Sequence, residues 1–84
     1  MTEKDLLDLD FTRIAETAEN SGTSKDWHYY VYDVGSFSLI SAASYEVEND
    51  EWFVDVFESP EIRFTSRTEL EILMTLLINN YKEE

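Results

Sequence analysis

Residues 45–57 constrain the fold more than any other part of the chain. Apolar and polar residues alternate on both sides of Asn49 and Asp50, and these two residue types favour a tight turn, so the segment predicts a β-hairpin. A two-residue turn there aligns three apolar pairs on one face: Val47 with Trp52, Tyr45 with Val54, and Ala43 with Val56. Because a slip of one residue would turn every side chain to the other face, this agreement predicts the register.

Two further strands complete the predicted sheet. Residues 27–32 form a dense run of aromatic and β-branched side chains, and Val34 and Gly35 predict the turn that follows. The next strand begins at Phe37 and stays in phase up to the hairpin turn, and residues 62–65 predict a short last strand. The sequence therefore predicts a four-stranded antiparallel sheet, a meander in chain order.

A helix is predicted near the start of the chain, from residue 3 to about residue 20. Its apolar stripe consists of Leu7, Phe11, Ile14 and Ala18, at spacings of four, three and four. Thr2 is a suitable N-cap, and residues 20–22 supply a stop. Residues 11–14 also have strand character, so a first strand there is the alternative.

A second helix is predicted near the end of the chain. Ser66 and Glu69 match a capping box, and apolar residues follow at helical spacing as far as Tyr81. This helix is apolar around more than half of its circumference, so we expect it to lie deep against the sheet. The prediction is one α+β domain over residues 1–84, with elements in the order α-β-β-β-β-α.

Both faces of the predicted sheet are apolar. One face carries Tyr30, Tyr32, Phe37, Leu39, Tyr45, Val47, Trp52, Val54 and Val56, and the C-terminal helix is expected to cover it. The other face carries Trp27, Tyr29, Val31, Ile40, Ala42, Phe53 and Phe57. A sheet face in water is usually polar, so three explanations stay open. The N-terminal helix covers the second face, or it lies beside the other helix and leaves an aromatic patch, or the first strand is out of phase by one residue.

The charge of the chain favours a basic partner. Nineteen Asp and Glu residues against six Lys and Arg give a formal net charge of −13. Direct binding to nucleic acid or to an anionic membrane surface needs clustered basic residues, so both are disfavoured. The longest apolar run, residues 72–78, is far shorter than a membrane span of about 20 residues, and the chain shows no secretory signal, so a cytoplasmic location is expected.

The reactive residue types do not form a catalytic or metal-binding pattern. His28 is the only histidine and the chain has no cysteine, so neither a zinc site nor a thiol nucleophile is predicted. Asp8, Asp10 and Thr12 fall at calcium-loop positions, yet Arg13 stands where the loop needs glycine. We therefore expect no enzyme activity, no metal and no cofactor.

The sequence favours a non-enzymatic protein-binding module with a basic protein partner. An inhibitor, or an immunity-type or counter-defence protein that mimics the charge of nucleic acid, would use acids for attraction and aromatic residues for affinity. The candidate partner-binding residues are Trp27, Tyr29, Glu46, Glu48, Asp50, Glu51, Phe53 and Asp55. The alternative is a small structural or assembly protein that forms a homodimer through the aromatic sheet face.

Overall fold

The computed structural model describes residues 1–17 and 26–81, which form two helices and five strands. The elements are α1 (Glu3–Asp8), β1 (Thr12–Glu16), β2 (Trp27–Val34), β3 (Phe37–Ser41), β4 (Val54–Val56), β5 (Ser59–Phe64) and α2 (Arg67–Asn80). A 3-10 turn, Ser44–Glu46, lies between β3 and β4. The strands form one antiparallel sheet with neighbours in chain order, so the α+β class and the meander are confirmed. The predicted number of four strands is wrong by one.

The first helix is only six residues long, which corrects the prediction of a long helix. Asp10 takes a left-handed conformation with φ of 66° just beyond its end. The N–H of Asp10 donates to the carbonyl of Leu7, and the N–H of Phe11 donates to the carbonyl of Leu6. These two bonds form a Schellman motif, and Phe11 and Leu6 both belong to the core. Because Asp stands where glycine is usual, the sequence concealed this stop.

The extra strand, β1, lies within the segment that was predicted to be helical. It pairs antiparallel with β2, with Thr12 opposite Val31 and Glu16 opposite Trp27. A first strand near residues 11–14, the alternative in the sequence analysis, is therefore correct. The last part of the predicted helix, residues 18–20, and most of the predicted polar loop, residues 21–25, lie outside the described residues.

The predicted pairing of the hairpin at residues 45–57 is wrong. β3 ends at Ser41 and pairs with β4, with Leu39 opposite Val56 and Ser41 opposite Val54. The three predicted pairs, Val47 with Trp52, Tyr45 with Val54 and Ala43 with Val56, do not form. The connection between the two strands is consequently a loop of twelve residues, 42–53, and not a tight turn.

The predicted turn at residues 49–50 does form, but it lies inside this loop. Both of its central residues have positive φ, and the N–H of Glu51 donates to the carbonyl of Glu48 at 3.0 Å. Beyond the turn, the N–H of Trp52 donates to the carbonyl of Met1 at 2.7 Å. Trp52 thus bonds to the first residue of the chain, while the carbonyl of Phe53 accepts from the N–H of Ala42 at 2.9 Å.

The hairpin between β2 and β3 turns one residue later than predicted. Val34 pairs with Phe37, so Gly35 and Ser36 form the turn. Gly35 has φ of 60°, which glycine adopts without strain. The later turn moves each cross-strand partner by two residues, and two residues is the period of a strand. The predicted faces of β2 and β3 are therefore retained.

Both helices cover the same face of the sheet. The buried core cluster consists of Leu6, Phe11, Tyr30, Leu39, Trp52, Val54, Leu70 and Met74. Leu6 belongs to α1, and Leu70 and Met74 belong to α2, so both helices pack on the face that holds the buried residues of β3 and β4. The helices thus lie side by side, as the second of the three explanations held. Tyr45, predicted to lie on this face, is 68% exposed.

The C-terminal helix lies less deep than predicted. Ser66 caps it as predicted, because its hydroxyl accepts from the N–H of Glu69 at 3.4 Å. Within the helix only Leu70 and Met74 are buried. Three apolar side chains are more than half exposed: Ile72, Leu76 and Ile78. Neither of the described helices has the length and the apolar content that crossing a membrane requires.

Candidate functional site

The face of the sheet opposite the helices, called the outer face below, is rich in apolar and aromatic residues. By strand register it carries Thr12, Ile14, Glu16, Trp27, Tyr29, Val31, Ile40, Asp55 and Arg63. Phe53 joins this face just before β4, where the guanidinium of Arg63 lies over its ring. Neither described helix packs here, so among the described residues an aromatic surface with carboxylates around it is left half-exposed.

Three aromatic rings and a carboxylate surround a shallow depression at one end of the outer face. This aromatic pocket has a volume of about 300 Å³ and is lined by Trp27, Tyr29, Ile40, Ser41, Ala43, Tyr45 and Glu46. The rings of Trp27 and Tyr29 stack with centroids 5.4 Å apart and an interplanar angle of 27°. The rings of Trp27 and Tyr45 meet edge to face, with centroids 5.3 Å apart and an angle of 79°. The three rings therefore form one continuous aromatic cluster at the pocket.

The 3-10 turn Ser44–Glu46 supplies the part of the pocket that does not come from the sheet. The hydroxyl of Ser44 accepts from the N–H of His28 at 3.0 Å, which ties the turn to β2. One carboxylate oxygen of Glu46, Oε1, accepts from the N–H of Ala43 at 3.1 Å, so the side chain caps the turn. The turn thereby holds Tyr45 beside Trp27 even though the Tyr45 side chain is mostly exposed.

Trp27 has one feature that packing alone does not explain. Its indole Nε1 is buried and has no acceptor among residues 1–17 and 26–81. A buried N–H usually has a hydrogen-bond partner, and the described residues supply none for Trp27.

Arg63, Phe53 and Asp55 form a second cluster of side chains on the outer face. The guanidinium carbon of Arg63 lies 3.8 Å from the centroid of the Phe53 ring. Its Nε and Nη2 donate to the two oxygens of Asp55 at 2.8 and 3.2 Å. The hydrogen bond that Arg63 donates to Asp55 raises the pKa of Arg63, and the charge of Glu46 acts in the same direction. A planar cation thus lies on an aromatic ring with a carboxylate at its edge.

The predicted acids of the 48–51 turn have two different roles. The carboxylate of Asp50 accepts from the indole Nε1 of Trp52 at 3.0 Å and from the N–H of Glu3 at 3.4 Å. Asp50 therefore fixes the turn against the first helix. Glu48 and Glu51 are exposed at the end of the molecule that also holds the aromatic pocket, and both remain candidates for contact with a partner.

The structure brings together five of the eight predicted partner-binding residues on or beside the outer face: Trp27, Tyr29, Glu46, Phe53 and Asp55. Sequence reasoning missed Tyr45 and Arg63. Alternation places Tyr45 on the core face only if the strand from Phe37 continues through residues 41–44, and that strand ends at Ser41. The small side chains of that segment were the available signal, since they form strands weakly.

A polar cluster on the helix-covered side was also missed. Oε2 of Glu3 accepts from the hydroxyl of Tyr30 at 2.6 Å and lies 2.6 Å from Nε2 of His28. The hydrogen bond from Tyr30 lowers the pKa of Glu3, and burial raises the pKa of Tyr30 to about 12. Glu3 is thus charged and Tyr30 neutral near pH 7, so neither is suited to exchange a proton there. The cluster instead fastens the first helix to β2.

In the part of the chain that the structure describes, no three His, Asp or Glu side chains form a group that could hold a metal ion. Compared with protein-family models, with curated proteins and with solved structures, the chain matches none. No activity or partner is therefore transferred from a relative, and the outer face with its aromatic pocket is the strongest candidate site.

Proposed function

We propose that this chain is a non-enzymatic protein-binding module that attaches to a basic partner protein through the outer face of its sheet. One observation carries the proposal: both described helices cover the opposite face and leave the aromatic side chains of the outer face accessible. Aromatic residues are enriched in protein interfaces, and contiguous exposed apolar surface of this kind often marks a binding site.

The charge of the chain supports a basic partner. A formal net charge of −13 speeds up the encounter with a positively charged surface and makes the association sensitive to salt. Three of the described basic residues, Lys4, Arg63 and Arg67, already pair with carboxylates of their own chain. The field that a partner meets is consequently dominated by acids such as Glu46, exposed beside the aromatic pocket.

Within this class, we infer an inhibitor or counter-defence protein that occupies a nucleic-acid-binding groove. Carboxylates of the outer face and of the 48–51 turn would take the positions of phosphates. The aromatic side chains would supply the buried contact area on which affinity depends. Such a groove is lined with Lys and Arg, because nucleic-acid binding requires them.

The test compares two variants that add the same positive charge on opposite sides of the molecule. Val31→Lys places an ammonium in the middle of the outer face, whereas Thr75→Lys places one on the exposed side of α2. Proteins from the host lysate that the immobilised chain retains are identified, purified and titrated with both variants. We expect Val31→Lys to weaken binding by at least about tenfold, Thr75→Lys to change it little, and duplex DNA to displace the partner.

Equal weakening by both variants would show that binding follows net charge and not the outer face, and would overturn the proposal. A partner that duplex DNA fails to displace would contradict nucleic-acid mimicry and leave the binding module in place. The earlier alternative, a homodimer through the outer face, brings two chains of −13 together, which repulsion opposes. Sedimentation at micromolar concentration checks it: a stable dimer that Val31→Lys dissociates would establish assembly as the function instead.

A further inference from the structure

We propose that the aromatic pocket binds a single arginine side chain of the partner protein. This inference rests on the proposed function, because it assigns to one depression of the outer face the chemical group that it recognises. The pocket combines three aromatic rings, those of Trp27, Tyr29 and Tyr45, with the carboxylate of Glu46 at its margin. Aromatic faces attract cations through their quadrupole, and the carboxylate adds a directional acceptor.

The chain's own Arg63 is the template for this assignment. On the same outer face, its guanidinium lies 3.8 Å from the centroid of Phe53 and donates two hydrogen bonds to Asp55. The aromatic pocket offers the same two components, ring faces and a carboxylate. Among the described residues that line it there is no basic side chain. Arg63, whose pKa the hydrogen bond to Asp55 and the charge of Glu46 both raise, is itself held over Phe53 by its two bonds to Asp55, so the cation that completes the arrangement is assigned to the partner.

The planar guanidinium of arginine fits this site better than the ammonium of lysine. A guanidinium stacks on a ring with its face while its N–H groups donate in the ring plane, and it is less strongly hydrated than an ammonium. The stacked rings of Trp27 and Tyr29 provide such a platform. Glu46 Oε1 is engaged by the backbone of the 3-10 turn, and this fixes the carboxylate in place as an acceptor for an incoming donor.

The position of the pocket also agrees with electrostatic attraction. It lies at the end of the sheet that carries the 48–51 turn, where Glu48 and Glu51 are exposed. A basic partner attracted to these acids is brought to the end of the sheet that holds the pocket, where Glu46 adds a carboxylate at the site itself.

The direct probe is a peptide, Gly-Ser-Arg-Ser-Gly, blocked at both ends so that the arginine carries its only charge. It is titrated into the full chain while the indole N–H resonances of the two tryptophans are followed by NMR. We expect a saturable shift for Trp27 and none for Trp52, whose indole N–H is bonded to Asp50. Replacing the arginine by lysine should weaken binding roughly two- to fivefold, and replacing it by uncharged citrulline should weaken it roughly tenfold.

Matched variants separate the pocket from the general acidity of the chain. Tyr45→Leu removes one ring from the pocket, and Phe57→Leu removes a ring elsewhere that is also more than half exposed. Glu46→Gln removes the charge but keeps an oxygen that can cap Ala43, and Glu48→Gln removes the same charge outside the pocket. We expect each pocket variant to weaken peptide binding roughly two- to fivefold and each control to change it less than twofold.

The outcomes distinguish this inference from the proposed function. If the arginine peptide binds but the pocket variants behave like their controls, the pocket is not the site and the basic-partner proposal stands. If a trimethyllysine peptide binds more tightly than the arginine peptide, the pocket selects a quaternary ammonium and the assignment to arginine is wrong. If neither this peptide nor a basic protein shows salt-sensitive binding to the chain, both proposals are overturned.

Discussion

Tyr30 is both a core residue and a hydrogen-bond donor to a charged carboxylate. Its ring is buried in the core, its N–H donates to the hydroxyl of Ser41 at 2.8 Å, and its own hydroxyl donates to Glu3 at 2.6 Å. Burial is the main reason that its pKa rises from 10.0 to about 12, and the bond to the charged Glu3 adds to it. The neutral phenol is therefore a structural component of the fold.

This pKa predicts a loss of stability in alkaline solution. As the pH rises above 10, the unfolded chain releases the Tyr30 proton first, because the folded state holds it up to about pH 12. The contribution is therefore complete below pH 10 and is lost as the pH rises through about 12. We expect Tyr30→Phe to lower the free energy of unfolding by about 1–2 kcal/mol at pH 8, where its bond to Glu3 is lost. The deficit should shrink or reverse at pH 11.

Urea denaturation at the two pH values measures this effect, with Tyr32→Phe as the matched control. Tyr32 lies on the same face and packs against the same core, so its substitution removes a hydroxyl without touching Glu3. A deficit of equal size for Tyr30→Phe at pH 8 and pH 11 would contradict the coupling between proton release and folding.

For the strands, the alternation of apolar and polar residues predicted well which face of the sheet each side chain occupies. It predicted the cross-strand partners poorly. The inward positions of β2, β3 and β4 follow from a period of two, and that period survives a change of partner by two residues. Register depends instead on where each strand stops, and two stops were not visible in the pattern. Asp10 ends the first helix through its backbone conformation, and Trp52 is occupied by the distant carbonyl of Met1. The Asp10 stop is local but lacks the usual glycine, and the bond between Trp52 and Met1 is long-range, so local sequence does not encode it.

The same limit applies to the candidate site. Trp27, Tyr29 and Phe53 were assigned to the outer face because strand alternation places them there. Tyr45 reaches that face only because the chain leaves the sheet after β3 and enters a 3-10 turn. The ring that completes the aromatic pocket thus depends on an irregular segment, and strand periodicity carries no information about it.

The C-terminal helix has two apolar sides with different expected sensitivities. Leu70 is fully buried, and Ile72 on the other side is more than half exposed. Leu70→Ala should lower the free energy of unfolding by about 2–5 kcal/mol because it leaves a cavity. Ile72→Ala should change it by less than about 0.5 kcal/mol, since surface positions contribute little.

Urea denaturation of both variants checks this difference, and Leu76→Ala serves as a second exposed substitution on the same helix. A large destabilisation by Ile72→Ala in the isolated chain would mean that this side is covered in solution. If that loss depended on protein concentration, the cover would be a second copy of the chain, contrary to the exposed position found here.

Across the whole molecule, the acidic residues fall into two groups with different functions. Asp5, Asp50 and Asp55 hold elements together by accepting hydrogen bonds from Arg67, Trp52 and Arg63. Glu48 and Glu51 are exposed in the 48–51 turn, where they add to the negative field of the molecule. The net charge of −13 therefore includes acids that stabilise the fold through hydrogen bonds and exposed acids that do not. The exposed acids are available to attract a basic partner.

This division predicts a separation of association and dissociation rates. With the basic partner, Glu48→Lys and Glu51→Lys together should slow association several-fold at low salt and change dissociation little, because exposed charges at an interface edge act mainly on encounter. Tyr45→Leu should do the reverse, since it removes contact area from the pocket. The control Glu58→Lys with Glu61→Lys alters charge equally at the other end of the sheet. Stopped-flow measurements at low and high salt give both rates. Equal slowing of association by both pairs of reversals would show that net charge, and not the position of the charge on the molecule, sets the encounter rate.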